Sequence, residues 1–187
     1  MPDLLHILEI IATITGILCV YLQTRENILA WPFGLISVSI LVYVFGQQLL
    51  YSDMILHIIY IGLNIYGWWF WAHFSDQNQI TPTREISNHK FLLWGIGILC
   101  GAALWGWIMN SWTNADLAYL DAFTTVGSLC AQFLLARKIL QNWIIWIIVD
   151  VVAINMYLYK GLYFIALMFL VFLVLCIKGY RDWKKSI

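Results

Sequence analysis

Residues 142–159 read NWIIWIIVDVVAINMYLY, eighteen positions with a single charge, Asp150. A helix of that length rises about 27 Å, close to the hydrocarbon thickness of a bilayer. An aspartate at the centre of such a helix costs at least about 2.5–3.5 kcal/mol in lipid. It is therefore expected to face the protein interior and to have a purpose there.

Working outward, apolar runs separated by polar or turn residues give seven spans, at about 4–22, 28–46, 53–73, 91–110, 118–136, 142–159 and 162–180. Pro32 falls in the opening turn of the second span, where its missing N–H costs nothing. The longest polar stretch, Phe74 to Lys90, contains Pro82 and joins spans three and four, and Ser111 to Leu117 is a short turn before span five. Composition agrees: the 187 residues are 63% hydrophobic and 11% charged, against about 45–50% apolar and about 25% charged in a soluble domain. That balance excludes a soluble enzyme and a disordered regulator. Zero net charge leaves no basic surface for phosphate backbones, so no nucleic acid is expected as a partner. The chain reads as an all-α polytopic membrane protein in the lipid bilayer.

Charge sets an orientation. Arg25, Arg84, Lys90, Arg137, Lys138, Lys178, Arg181, Lys184 and Lys185 fall on one side of the seven-span layout, and only Lys160 on the other. The positive-inside rule then predicts an outer N-terminus and a cytoplasmic C-terminus. No Lys or Arg precedes the first apolar run, which predicts a retained helix and not a cleaved signal peptide. Cys19, Cys100, Cys130 and Cys176 lie in apolar stretches without metal-site spacing and read as small buried hydrophobes.

A shift of 112 residues superposes Arg25 on Arg137, Trp31 on Trp143, Tyr51 on Tyr163, Gly67 on Gly179 and Trp71 on Trp183 without a gap. One residue of slippage upstream pairs Gly16–Cys19 with Gly127–Cys130 and brings Glu9 near Asp121. Spans one to three thus repeat as spans five to seven, a 3+1+3 parallel repeat. Residues 1–74 form the first three-helix bundle, 75–112 a cytoplasmic loop and linker helix, and 113–187 the second bundle. Transporters built from repeats hold substrate near the midplane where the halves meet, and rocking of the two halves is the expected motion. In the linker helix, Gly97-x-x-x-Gly101 would permit close helix approach, including a homo-oligomer.

Polar residues cluster by helical spacing. Span three places Asp53, His57, Tyr60, Asn64 and Trp71 in one sector; span five places Asp121, Thr125, Ser128 and Gln132 together; span six aligns Trp143, Trp146, Asp150 and Tyr157. Asn64 and Asp150 fall near mid-span, whereas Glu9, Asp53 and Asp121 are shallow. In the repeat register Asn64 corresponds to Cys176 and Asp150 to Val38, so the halves share scaffold residues and differ at mid-depth. An asymmetric solute needs that difference.

The predicted substrate contacts are Asn64, Trp68, Tyr60, Trp143, Trp146, Asp150 and Gln132. Glu9, Asp121 and Trp31 are assigned to a gate or to structure. Each has a plainer reading. Trp31 and Trp183, near span ends, suit interfacial anchors; Thr125 and Ser128 suit back-bonding to their own helix; Asp150 could tie span six to a neighbour; His57 suits an interior hydrogen bond better than a metal. Eleven Trp and ten Tyr exceed what two interfacial belts need, and aromatic walls suit a flat ring compound, especially a cation. No phosphate-binding G-x-x-x-x-G-K-[ST] occurs, so ATP hydrolysis by this chain is not expected.

Trp31-Pro32-Phe33-Gly34, Tyr66-Gly67-Trp68-Trp69-Phe70-Trp71, Tyr119–Thr125, Asn142-Trp143-x-x-Trp146-x-x-x-Asp150 and Tyr159-Lys160-Gly161-Leu162-Tyr163 together resemble the PnuC family of bacterial inner-membrane vitamin transporters. The likeness covers nearly the whole chain. It implies a 3+1+3 fold similar to the SWEET sugar transporters and facilitated diffusion of nicotinamide riboside. It also implies trapping by a cytoplasmic kinase, no cofactor, and contacts from Asn64, Trp68, Trp143, Trp146 and Asp150. Thiamine or another aromatic vitamin stays open as substrate. Two other classes compete: a membrane subunit of a larger importer, and an intramembrane enzyme. The enzyme would need two carboxylates at one depth, and Asp150 is deep while the other acids are shallow.

Overall fold

The computed structural model describes residues 2–49, 51–73, 82–112 and 117–187. Seven α-helices run through them: α1 (Pro2–Thr24), α2 (Ala30–Gln47), α3 (Tyr51–His73), α4 (Asn88–Trp112), α5 (Ala118–Ala136), α6 (Asn142–Tyr159) and α7 (Tyr163–Lys184). Each is long and apolar enough to cross a membrane. The bounds of α5 and α6 coincide with the predicted spans. Helices α4 and α7 overrun theirs, because Asn88, His89, Lys90, Ser111 and the basic tail of α7 continue the helical backbone. Residues 74–81 of the predicted loop and 113–116 of the predicted turn lie outside the described residues.

The chain divides into two compact units, Met1–Pro82 and Thr83–Ile187. In the first, α2 packs against both α1 and α3; in the second, α4, α5, α6 and α7 pack in succession. The fourth helix, set apart above as a linker, thus packs along α5. Helices in lipid gain little from apolar burial against one another, so close packing of small residues and a few hydrogen bonds must hold them. Ala12, Ala30, Ala122, Ala131 and Ala153 are accordingly enclosed, and Ser37 Oγ donates to the Ala12 carbonyl at 2.8 Å, tying α2 to α1. In the second unit Ile98, Ala131, Leu134, Ile145 and Val149 form the core across α4, α5 and α6. A Cβ on Gly101 would sit 3.1 Å from Val126 of α5, while one on Gly97 would meet open space. The glycine motif therefore serves, through Gly101, packing inside the unit.

The helix ends carry the repeat register into the backbone. Among the described residues, positive φ occurs at Glu26, Leu49, Lys138 and Gly161, two pairs each 112 residues apart. After α1, Glu26 N–H donates to Gln23 O and Asn27 N–H to Leu22 O; after α5, Lys138 N–H donates to Leu135 O and Ile139 N–H to Leu134 O. This is one Schellman-type ending, with a left-handed residue closing the last carbonyls, used at both places. Leu49 N–H to Gly46 O and Gly161 N–H to Leu158 O repeat it after α2 and α6.

A tryptophan pair is matched in the same way. Trp31 and Trp71 meet edge to face with centroids 5.2 Å apart and planes at 88°, and Trp143 and Trp183 at 5.3 Å and 89°. All four rings are buried. This corrects the anchor reading of Trp31 and Trp183: an interfacial anchor keeps one edge wet, and both of these are 0% exposed.

One feature belongs to the second unit alone among the described residues. The segment before α4 lies over the α5–α6 turn: Arg84 N–H donates to Lys138 O and Leu140 N–H to Arg84 O, both at 2.9 Å. Gln141 completes the strap, accepting from Ile86 N–H at 3.1 Å and donating to Ile86 O at 3.0 Å.

Candidate transport site

In the first unit Asn64, near the middle of α3, is buried. Its Nδ2 donates to the carbonyl of Tyr60, one turn earlier, at 2.8 Å, which fixes the orientation of the amide. Oδ1 then points across to α2, where it is buried without a hydrogen-bond partner. Gly34 of α2 stands opposite: a Cβ there would lie 2.5 Å from Asn64 Oδ1 and 3.0 Å from the Cys19 sulfur of α1. Three helices converge on one amide. Trp68, one turn beyond Asn64, is 40% exposed, and Tyr60 is half-buried. His57 Nδ1 meets the Asp53 carbonyl, one turn back on its own helix, at 2.8 Å.

In the second unit Asp150 of α6 is 1% exposed, and its Oδ2 has no hydrogen-bond partner. The Cys176 thiol of α7 lies within hydrogen-bonding reach of the carboxylate. A thiol is a weak donor, so Cys176 compensates the buried carboxylate poorly. Trp146, one turn before Asp150, packs partly on the α4–α5–α6 core and stays half-buried. Trp143 is enclosed, its indole held by Trp183 and lying over Gly179, where a Cβ would come within 2.7 Å of the ring. Its ring is therefore taken up by packing. Gln132 and Ser128 are both buried on α5, and Ser128 Oγ back-bonds to the Thr125 carbonyl at 3.0 Å.

The shallow acids behave differently. Glu9 accepts from Gln48 Nε2 at 3.1 Å and lies 3.5 Å from His6, joining α1 to the end of α2. Asp121 is exposed in the first turn of α5. Sequence reasoning missed the role of the cysteines. Cys19 and Cys176 each sit beside the deep polar residue of their unit, whereas Cys100 is exposed and Cys130 half-buried, contrary to four buried hydrophobes. The repeat register carried the signal: Asn64 and Cys176 are repeat mates, so each unit has a small or polar residue at that place on its last helix.

Isolated polar groups buried in membrane-crossing helices mark functional sites such as solute pathways, and the fold is that of a polytopic membrane protein. The sequence pattern of the nicotinamide mononucleotide transporter family matches residues 6–185, and the chain belongs to that family. It is 27% identical to the nicotinamide riboside transporter PnuC of Escherichia coli K12 over 96% of this chain and 85% of that one. It is 28% identical to PnuC of Neisseria mucosa over 95% and 72%. A riboflavin/roseoflavin transporter, RibM of Streptomyces davaonensis, is 24% identical over 94% and 83%. A crystal structure of the vitamin B3 transporter PnuC superposes with a TM-score of 0.78 at 26% identity, covering 96% of this chain and 81% of that one. The protein is a multi-pass inner-membrane transporter and not an enzyme.

Proposed function

We propose that this chain is a facilitated-diffusion uniporter for nicotinamide riboside, with its N-terminus outside, whose cargo is retained by phosphorylation in the cytoplasm. Asp150 carries the reading. A deep carboxylate whose Oδ2 has no partner favours a ligand that brings a positive charge. Nicotinamide riboside contains a pyridinium ring; riboflavin, the cargo named for RibM, is neutral. Within the second unit, half-buried Trp146 would stack on a flat cation one turn from Asp150. Gln132 supplies a hydrogen bond in the same unit and Trp143 supports Trp146 from the preceding turn, while Asn64, Tyr60 and Trp68 are the candidate contacts of the first unit.

Thiamine is the second reading, favoured by the same carboxylate because its thiazolium is also an aromatic cation. The nine-to-one bias of basic residues supports the orientation. Without an ATP-binding motif, one-way uptake rests on chemical trapping by a separate kinase.

Titration of the purified protein with nicotinamide riboside, thiamine and riboflavin, followed by tryptophan fluorescence, tests the assignment. Saturable quenching by nicotinamide riboside, strongest of the three, is expected. Saturation by thiamine alone would move the substrate to the second reading, and saturation by riboflavin alone would remove the cation argument.

A further inference from the structure

We infer that Gly34 is a positioning residue for substrate recognition, acting through Asn64. The inference rests on the transporter reading but not on which vitamin is carried. The Asn64 amide is oriented from one end only, by the Tyr60 carbonyl. Its other end, Oδ1, is buried and lacks a donor. An acceptor left so costs about 1–3 kcal/mol, which a donor N–H or O–H brought by a ligand removes. The space holding Oδ1 exists because position 34 has no side chain: a Cβ there would lie 2.5 Å from Oδ1, far inside contact distance.

The atom that would have to yield is the end of the Asn64 side chain and not backbone. A methyl at position 34 should therefore turn the amide before it parts the helices. The Cys19 sulfur of α1, 3.0 Å from the same point, also borders the space. The second unit has no such arrangement in its sequence. The repeat mate of Gly34 is Trp146 and that of Asn64 is Cys176, so the place left empty in the first unit carries the largest side chain in the second. Gly34 thus belongs to the difference between units and not to their shared scaffold.

A double-mutant cycle tests this. Gly34→Ala, Asn64→Ala and the double variant are purified, checked for folding by thermal unfolding, and titrated with whichever of the three vitamins saturates the wild type. Gly62→Ala, where a Cβ meets nothing within 4 Å, is the control. Gly34→Ala is expected to weaken binding about ten-fold, Asn64→Ala by a similar factor, and the double variant no further than Asn64→Ala alone. Independent, multiplying losses would overturn the inference, as would wild-type affinity in Gly34→Ala. If Gly34→Ala is unstable, the double variant should regain stability, because the clashing oxygen is gone; failure to do so would also overturn it. A wild type that binds none of the vitamins would count against the transport assignment itself, a result distinct from all of these.

Discussion

The indole of Trp143 lies over Gly179 so closely that a Cβ on that glycine would fall 2.7 Å from the ring. Trp31 and Gly67 stand in the same relation 112 residues earlier, with the ring closer still. The ring of each tryptophan is wedged between a glycine and a second tryptophan, Trp183 or Trp71, and nothing flexible can yield. Gly179→Ala and Gly67→Ala should each cost about 1–3 kcal/mol by overpacking. Thermal unfolding in detergent should show a clear drop for both and none for Gly62→Ala.

Position 161 and its repeat mate offer a pair of changes of opposite sign. Gly161 has φ +71° with open space around it, and Leu49 adopts φ +59° while 68% exposed. A side chain in the left-handed region costs about 1–2 kcal/mol. Gly161→Ala should therefore lower stability by about 1 kcal/mol and Leu49→Gly raise it by somewhat less, after the glycine's extra chain entropy. Melting temperatures of the two variants check the signs.

Much of this architecture was legible in the sequence because lipid imposes a simple length rule on apolar runs. Helices α5 and α6 start and stop where predicted, since Arg137, Lys138 and Lys160-Gly161 mark their ends. The ends of α4 were not legible: Asn88 and Ser111 are polar, and polarity marks a membrane boundary without stopping a helix. The deep polar pair, Asn64 and Asp150, was found from depth and register, and both are buried. Which faces of Trp143 and Trp31 are used was beyond a pattern of spacings, because a partner glycine 36 residues away leaves no local trace. The strap was hidden for the same reason, its contacts joining residues 55 positions apart within a stretch that read only as polar loop.

Gln141 makes two of the strap's hydrogen bonds with its side chain. Gln141→Ala should cost about 1–2 kcal/mol at two net hydrogen bonds. The loss should be local, with faster hydrogen exchange at the amides of Arg84, Ile86 and Leu140 and unchanged exchange in α2. Uniform acceleration across both units would show that the strap holds more than its own turn.

Asp150→Asn separates a binding role from a structural tie. The substitution keeps the shape and removes the charge, so burial in lipid becomes cheaper and the fold should be at least as stable. Binding of a cationic vitamin should weaken about ten- to hundred-fold, the scale of a hydrogen bond to a charged group. A fall in melting temperature with affinity intact would make Asp150 a strut between α6 and α7.

Uptake of radiolabelled nicotinamide riboside into proteoliposomes, with and without an entrapped riboside kinase and ATP, tests the uniporter account most directly. Without the kinase, and with the membrane potential held at zero because the cargo is a cation, label should enter until the inner and outer concentrations match and stop there, whatever proton or sodium concentration gradient is imposed. With the kinase it should accumulate well beyond that level. Accumulation above equality in kinase-free vesicles at zero membrane potential, driven by an ion gradient, would contradict it.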